Sequence, residues 1–256
     1  MHLAVLGDPV EHSLSPRMQT AALAATGIEG TYDAIQVDAA GMGTMVARLH
    51  HGKLDGANIT MPHKRLARLL ADEVRSLAQR TGAVNTYSVD DGKVIGDNTD
   101  VAGFIDASDW AGIPDDAPLL ILGAGGAAAA ALVAFEDRRV HLSARRPAAA
   151  RALARRVGVD TTEVTWGEAV PNTVVVNCTP LGMRGENLPG GVLEQAAGYI
   201  ESVYGSGPTP AQQAAEDAGV PCATGLDLLV AQGARSFTIW TGFEAPVGAM
   251  KASVTA

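Results

Sequence analysis

The side chains best suited to chemistry fall in four short segments: Ser13-Leu14-Ser15, Thr60-Met61-Pro62-His63-Lys64, Ala83-Val84-Asn85-Thr86 and Gly96-Asp97-Asn98-Thr99-Asp100. Each lies where the residue pattern ends a strand or opens a helix. Ligands of open α/β sheets bind beyond the carboxyl ends of strands. Hydroxyls, an amide, an ammonium and a carboxylate gathered there suit a small, polyhydroxylated acid. Taken singly, each residue also has a purely structural reading. Ser15 before Pro16 fits a helix N-cap. Asn85 fits a turn, and Asp100 fits a helix start, where the dipole favours an acid. Lys64 is less easily explained. Met61-Pro62 ends one strand and opens a helix, so Lys64 falls in an opening turn, an adverse place for a cation unless it is simply solvated.

A second constellation lies in Leu119-Leu120-Ile121-Leu122-Gly123-Ala124-Gly125-Gly126-Ala127-Ala128, which reads as strand, glycine turn and helix. It fits G-x-G-x-x-A, with Ala128 at the third small position. The first glycine permits the tight turn, the second lets backbone approach a pyrophosphate, and the third small residue lets helix and strand pack closely. The helix N-terminus offers unpaired N–H groups to phosphate. After the next strand, Val140-His141-Leu142-Ser143, comes Ala144-Arg145-Arg146-Pro147, with no carboxylate to grip a ribose 2′-hydroxyl. Two arginines suit a 2′-phosphate through charge-assisted hydrogen bonds. The pattern therefore favours NADP over NAD, against the alternative of a solvated basic loop.

The elements that must carry these groups alternate. Strands are expected at 2–6, Thr31–Val37 and Asp55–Thr60, with helices at Pro16–Thr26, Gly41–His51 and from Pro62 to Ala78. Ala83–Val89 and Lys93–Asp97 read as a hairpin around Asp90-Asp91-Gly92. A helix runs from Asn98 to Trp110, and Pro114–Pro118 punctuates the chain. A second series follows: strands at Leu119–Leu122, Val140–Ser143, Thr173–Asn177 and Tyr199–Val203, with helices at Ala127–Phe135, Pro147–Val157 and Pro210–Ala218. Helices Leu226–Trp240 and Pro246–Val254 end the chain. The fold class is α/β, with two open α/β domains.

Bulk properties narrow the partners. The 256 residues are 47% hydrophobic and only 4% aromatic, so the cores must be built mainly from Ala, Val, Leu and Ile. A net charge of −9 argues against nucleic acid or an anionic membrane as the main partner. No run is long enough for a membrane span, and the N-terminus lacks the pattern of a signal peptide. Cys178 and Cys222 form no recognisable motif, which suits a reducing cytoplasm. The six histidines show no metal-ligand spacing, so no metal is expected.

Together the motifs resemble the shikimate dehydrogenase family. The resemblance rests on S-x-S (Ser13, Ser15), N-x-T-x-P-x-K (Asn58, Thr60, Pro62, Lys64), A-x-N-T (Ala83, Asn85, Thr86), D-N-T-D (Asp97 to Asp100) and G-A-G-G-A (Gly123 to Ala127). It continues through Asn177–Met183, Val203-Tyr204 with Pro208-Thr209-Pro210, and Gly225–Gln232, in order and over nearly the whole length. It implies reversible reduction of 3-dehydroshikimate to shikimate with NADP(H). A substrate-binding and catalytic domain would comprise 1–100 and 226–256, its sheet mostly parallel and the terminal helices returning to it. A Rossmann-type NADP domain would comprise 101–225. Lys64 and Asp100 resemble the family's catalytic pair. Ser13, Ser15, Thr60, Asn85 and Gln232 resemble its substrate ligands, with Tyr204 nearby.

Gly123, Ala124, Gly125, Gly126, Ala127, Ala144, Arg145 and Arg146 resemble the family's cofactor site, with Thr179, Met183 and Gly225 toward the nicotinamide. Two segments depart from its pattern. Its Asn-Arg-Thr is Ala144-Arg145-Arg146 here, and its Asp-Leu-Val-Tyr is Glu201-Ser202-Val203-Tyr204, followed by Gly205 where Asn is usual. The alternatives are a paralogue acting on quinate or an aminoshikimate with NAD(P), and a non-catalytic NADP-binding sensor. Threonine at position 15 would mark quinate activity, an acid near position 144 would mark NAD use, and loss of Lys64 or Asp100 would mark a sensor. None of these features is present. Both monomer and homodimer fit the resemblance.

Overall fold

The computed structural model describes residues 1–205 and 207–255; Ala256, the last residue of the expected substrate domain, lies outside the described residues. The chain forms two compact units, Met1–Thr99 with Leu229–Ala256, and Asp100–Leu228.

The first unit contains β1 (His2–Gly7), α1 (Ser15–Thr26), β2 (Thr31–Gln36), α2 (Met42–His50), β3 (Gly56–Ile59), α3 (Lys64–Leu70), β4 (Glu73–Val74), α4 (Ser76–Thr81), β5 (Thr86–Asp90) and β6 (Lys93–Asp97). Its sheet runs β2-β1-β3-β5-β6-β4. β1 is parallel to β2 and β3, and β4 to β6, while β5 is antiparallel to both its neighbours. The reversal comes from the expected hairpin. Asp91 and Gly92 have φ of 47° and 75°, the positive values a two-residue type I′ turn requires. Because β5 runs backward, its first residues lie at the edge of the sheet where β3 and β6 end. The core on one face is built from aliphatic residues such as Leu6, Leu49, Leu54 and Ile59, with one large aromatic, Tyr87.

The second unit opens with α5 (Asp100–Trp110), then β7 (Leu119–Leu122), α6 (Gly126–Ala134), β8 (Val140–Ser143), α7 (Pro147–Val157), β9 (Thr161–Val164), β10 (Val174–Asn177), β11 (Gly198–Glu201), α8 (Pro210–Asp217) and β12 (Cys222–Ala223). Its sheet runs β12-β11-β10-β7-β8-β9 and is parallel throughout. β7, β10 and β11 are buried at every residue, as expected of central parallel strands covered on both faces. The strand order reverses between β7 and β10, the kind of point where open α/β sheets take ligands. α9 (Gly225–Thr241) begins in this unit, and from Leu229 its residues belong to the first, as does α10 (Val247–Thr255).

Three local expectations are corrected. The helix expected from Pro62 to Ala78 is two short helices with β4 between them. Ala71 is extended at ψ 143°. Asp72 then pairs with Val94 through N–H to O at 2.9 Å and carboxylate to N–H at 2.7 Å, drawing Glu73 and Val74 into the sheet. Pro62 does not open a helix: His63 is the N-cap residue and α3 begins at Lys64. Ser15 is not an N-cap but the first residue of α1. The Ser13 hydroxyl accepts the Ser15 N–H at 3.3 Å, so the cap-like role falls on Ser13. β9 and β12, two outer strands, were not expected from the pattern.

Candidate functional site

In the first unit the motif residues gather at one edge of the sheet. Ser13 and Ser15 follow β1, Thr60 follows β3, and Asn85 precedes β5. Thr60 is held by its N–H on Leu6 O at 2.9 Å, and its carbonyl takes the His63 N–H at 3.0 Å. His63 is 3% exposed, and its Nε2 lies 2.6 Å from Val37 O. A carbonyl only accepts, so this nitrogen carries the proton. The imidazole thereby pins the start of α3 to the end of β2. Lys64 is half-buried, and its carbonyl accepts the Val84 N–H at 2.9 Å. The lysine is thus braced on both sides by backbone.

Behind this edge lies a buried polar knot. Asn85, 2% exposed, accepts the Thr99 N–H through Oδ1 at 2.8 Å and donates from Nδ2 to Thr99 Oγ1 at 2.9 Å. Its side chain thereby fixes the residue immediately before Asp100. Thr86 Oγ1 donates to Asn85 Oδ1 at 3.0 Å, and Asn58 Nδ2 reaches Thr86 Oγ1 at 3.2 Å. Ser236, on α9, bonds three of these, Asn58, Thr86 and Thr99. It lies one helical turn beyond Gln232, whose Nε2 donates to Leu229 O at 2.7 Å. Reading the sequence missed Ser236; its spacing from Gln232 on one helix face was the available signal.

The second unit gathers its motif residues at the carboxyl edge of a fully parallel sheet. Gly123 follows β7 with φ 120°, and a Cβ there would come 2.7 Å from Cys178 O and 3.4 Å from Thr179 Cγ2. Glycine is required on both counts, and Thr179 is packed against the turn. Ala124 and Ala127 are half-buried beside it. At Gly125 and Gly126 the situation is opposite: a Cβ would meet nothing of the protein within 4 Å. Their smallness clears space for something outside the chain. Gly125 is the N-cap of α6 and offers no side-chain cap, so the first N–H groups of that helix are left for an anion. Ala144 is buried after β8, while Arg145 and Arg146 are exposed, Arg146 being the extended N-cap residue of α7. Backbone donors, open space and two cations without a carboxylate fit a phosphorylated dinucleotide.

At the ends of β10, β11 and β12 the organising group is Glu201, 0% exposed. Its Oε1 accepts Asn177 Nδ2 at 2.8 Å, Ser202 N at 2.8 Å and Val203 N at 3.1 Å. Its Oε2 accepts the Tyr199 hydroxyl at 2.5 Å and Thr209 Oγ1 at 3.0 Å. Burial pushes this carboxyl above the usual glutamate range, and the donors only partly offset it. The longer side chain thus fully occupies the place where an aspartate was expected and holds the loop carrying Tyr204. Thr179 is tied into the same cluster through Asn177 Oδ1 at 2.7 Å. A Cβ at Gly225 would collide with Val203 O and lie 3.1 Å from Tyr204 N, so these two segments abut. Met183 is 44% exposed, with its carbonyl beside Gly205. Cys178, also in this unit, has its thiol pushed up by burial first, then by the Glu201 and Asp100 carboxylates.

The predicted residues therefore form two groups. Ser13, Ser15, Thr60, Lys64, Asn85 and Gln232 belong to the first unit; Asp100, Tyr204 and the glycine-turn set belong to the second. Among the described residues no three His, Cys, Asp or Glu side chains are grouped to hold a metal, and no helix is long and apolar enough to cross a membrane.

Known proteins share this arrangement. A family model of the shikimate dehydrogenase substrate binding domain matches residues 5–87, and one of the shikimate 5′-dehydrogenase C-terminal domain matches 225–255. The chain is 38% identical to shikimate dehydrogenase (NADP(+)) of Anaeromyxobacter sp. strain Fw109-5, covering 98% of this chain and 95% of that protein. It is 38% identical to the protein of the same name from Oleidesulfovibrio alaskensis, covering 98% and 93%. The crystal structure of shikimate 5-dehydrogenase from Thermus thermophilus in complex with NADP(H) and shikimate superposes with a TM-score of 0.93 at 34% identity, over 100% of this chain and 98% of that one. Matched at this identity over nearly its whole length, with both family models in chain order, the chain belongs to the shikimate dehydrogenase family.

Proposed function

We propose that the chain is an NADP-dependent oxidoreductase that interconverts 3-dehydroshikimate and shikimate. The near-full-length match to relatives of that name carries this reading, and the chemistry of both sheet edges supports it. The first unit would bind substrate and the second the dinucleotide. When bound, NADPH supplies the hydride that reduces the substrate ketone. Lys64, braced at the start of α3, stabilises the developing alkoxide and donates the proton that completes the alcohol. Asp100, with Thr99 just before it held by Asn85, would be the second member of the catalytic pair. Ser13 and Ser15 donate hydroxyls to the substrate carboxylate. Thr60, Asn85, Gln232 and Tyr204 contact the remaining substrate groups.

The uncapped start of α6 would take the pyrophosphate through the N–H groups of Gly125 to Ala127. Arg145 and Arg146 would take the 2′-phosphate. Ala144, Thr179, Met183 and Gly225 would line the cofactor from ribose to nicotinamide. Both cysteines are unpaired, which supports work in a reducing cytoplasm; the chain would act as a monomer or homodimer.

A spectrophotometric assay of the purified protein tests the reading, pairing shikimate or quinate with NADP⁺ or NAD⁺. Shikimate with NADP⁺ should give the highest kcat/KM. Absence of shikimate-dependent reduction would reject the function, and preference for quinate or NAD⁺ would reassign it within the family.

A further inference from the structure

Ser236 is completely buried on α9, where a residue serving packing alone would need no hydroxyl. Its Oγ lies 2.9 Å from Asn58 Nδ2, 2.9 Å from Thr86 Oγ1 and 3.2 Å from Thr99 Oγ1, partners 178, 150 and 137 positions away in the chain. It also donates to Gln232 O at 3.1 Å, one turn back on its own helix. A serine hydroxyl has one hydrogen and two lone pairs. The carbonyl of Gln232 can only accept and the amide of Asn58 can only donate. One lone pair then remains, and with the Thr86 hydrogen already on Asn85 Oδ1 it takes the hydroxyl hydrogen of Thr99. Every bonding capacity of the group is used, and each partner belongs to a different segment of the chain.

Those segments are the ones that carry the proposed site. Asn58 precedes Thr60 by two residues on β3. Thr99 immediately precedes Asp100. Gln232 accepts the bond directly, and Asn85 is bonded to both Thr86 and Thr99. We propose that Ser236 is a positioning residue for the reaction, a single buried hydroxyl that sets Gln232, Thr60 and Thr99, the residue just ahead of Asp100, in mutual register. The inference rests on the shikimate dehydrogenase reading. Ser236 touches no reacting atom and acts through the residues it holds. Buried polar knots of this kind couple their members, so loss of one is felt by all.

The test compares Ser236→Ala with wild type in the shikimate and NADP⁺ assay, with folding checked by circular dichroism. The variant should lose about tenfold or more in kcat/KM for shikimate, the scale on which removing one member of a coupled buried hydrogen-bond knot acts. KM for NADP⁺ should stay within about twofold, because the second unit keeps its own contacts. A folded variant with normal shikimate kinetics and only a lowered Tm would overturn the proposal, reducing Ser236 to a structural residue. An equal rise in KM for both substrates would overturn it too.

Ser236→Cys keeps the volume but bonds weakly, and serves if the alanine variant does not fold. It should show the same selective loss, and wild-type kinetics in it would refute the idea. Thr86→Val should cost less in the Ser236→Ala background than in wild type, and strict additivity would count against a shared knot. A wild-type protein inactive on shikimate would instead fail the functional reading itself.

Discussion

Replacing Glu201 tests how the loop carrying Tyr204 is held. The two carboxylate oxygens have different partners. Oε1 faces three N–H groups that can only donate, whereas Oε2 faces two hydroxyls that can donate or accept. In Glu201→Ala some of these donors keep a partner: Ser202 N retains Asn177 O at 3.1 Å, and Asn177 Nδ2 retains Leu181 O at 2.9 Å. The Val203 N–H and the buried Tyr199 hydroxyl have no such second acceptor among those described. Their orphaning, with the cavity beside them, costs about 3 kcal/mol or more. For a chain of this length that lowers Tm by roughly 6–12 °C.

Glu201→Gln keeps the shape, can aim its oxygen at the three N–H groups and can aim its NH₂ at the two hydroxyl oxygens, so it should cost only about 1 kcal/mol. Burial raises the native carboxyl, so the folded protein keeps this proton to higher pH than the unfolded chain does. Its stability contribution is complete below the ordinary glutamate value and is lost as pH rises through the raised native one. The advantage of wild type over the glutamine variant should therefore shrink as pH rises above the ordinary glutamate range. Thermal melts of the three proteins across pH measure all of this. An alanine variant within about 1 kcal/mol of wild type would refute the reasoning. So would a glutamine variant as weak as the alanine one, or a difference independent of pH.

Lys64→Ala should leave shikimate binding within a few-fold and lower kcat by at least ~10², the lower range for general acid–base catalysis; near-normal turnover would remove Lys64 from the proton-delivery role. Replacing Arg145 and Arg146 together with alanine should raise KM for NADPH far more than for NADH, and equal effects on both cofactors would reject the 2′-phosphate role. Gly225→Ala drives a Cβ into the Val203 carbonyl, which is backbone and cannot swing away, so a loss of about 1–3 kcal/mol is expected by thermal melt. An unchanged melt would mean that the loop ahead of Tyr204 yields freely.

Much of the architecture was legible because it follows from short-range rules. The run Leu119–Leu122 before a glycine turn, the Asp90-Asp91-Gly92 hairpin and Pro147 at the start of α7 are each specified within a few residues. The break between α3 and α4 was not legible. No glycine or proline marks it, and the competing pull on Asp72 comes from Val94, a strand away. β9 and β12 are short outer strands without an apolar alternation to reveal them. The motif residues were visible as types at spacings, but not what holds them. His63 read as a neighbour of Lys64 and proves to be a buried brace on Val37. Glu201 read as a departure from a pattern and proves to be the centre of its loop.

By itself the sequence determined the two α/β series, the glycine turn with its arginines, and the order of the polar segments. Each of these depends on local backbone preference and on residue type. Only the tertiary structure decided that β5, rather than β6, is the hairpin strand that runs backward and so brings Asn85 to the edge where Thr60 ends. It also decided that Ser236 closes a knot with Asn58 from 178 residues away. Hydrogen bonds act over about 3 Å, and at such separations in the chain only packing can bring the partners within reach.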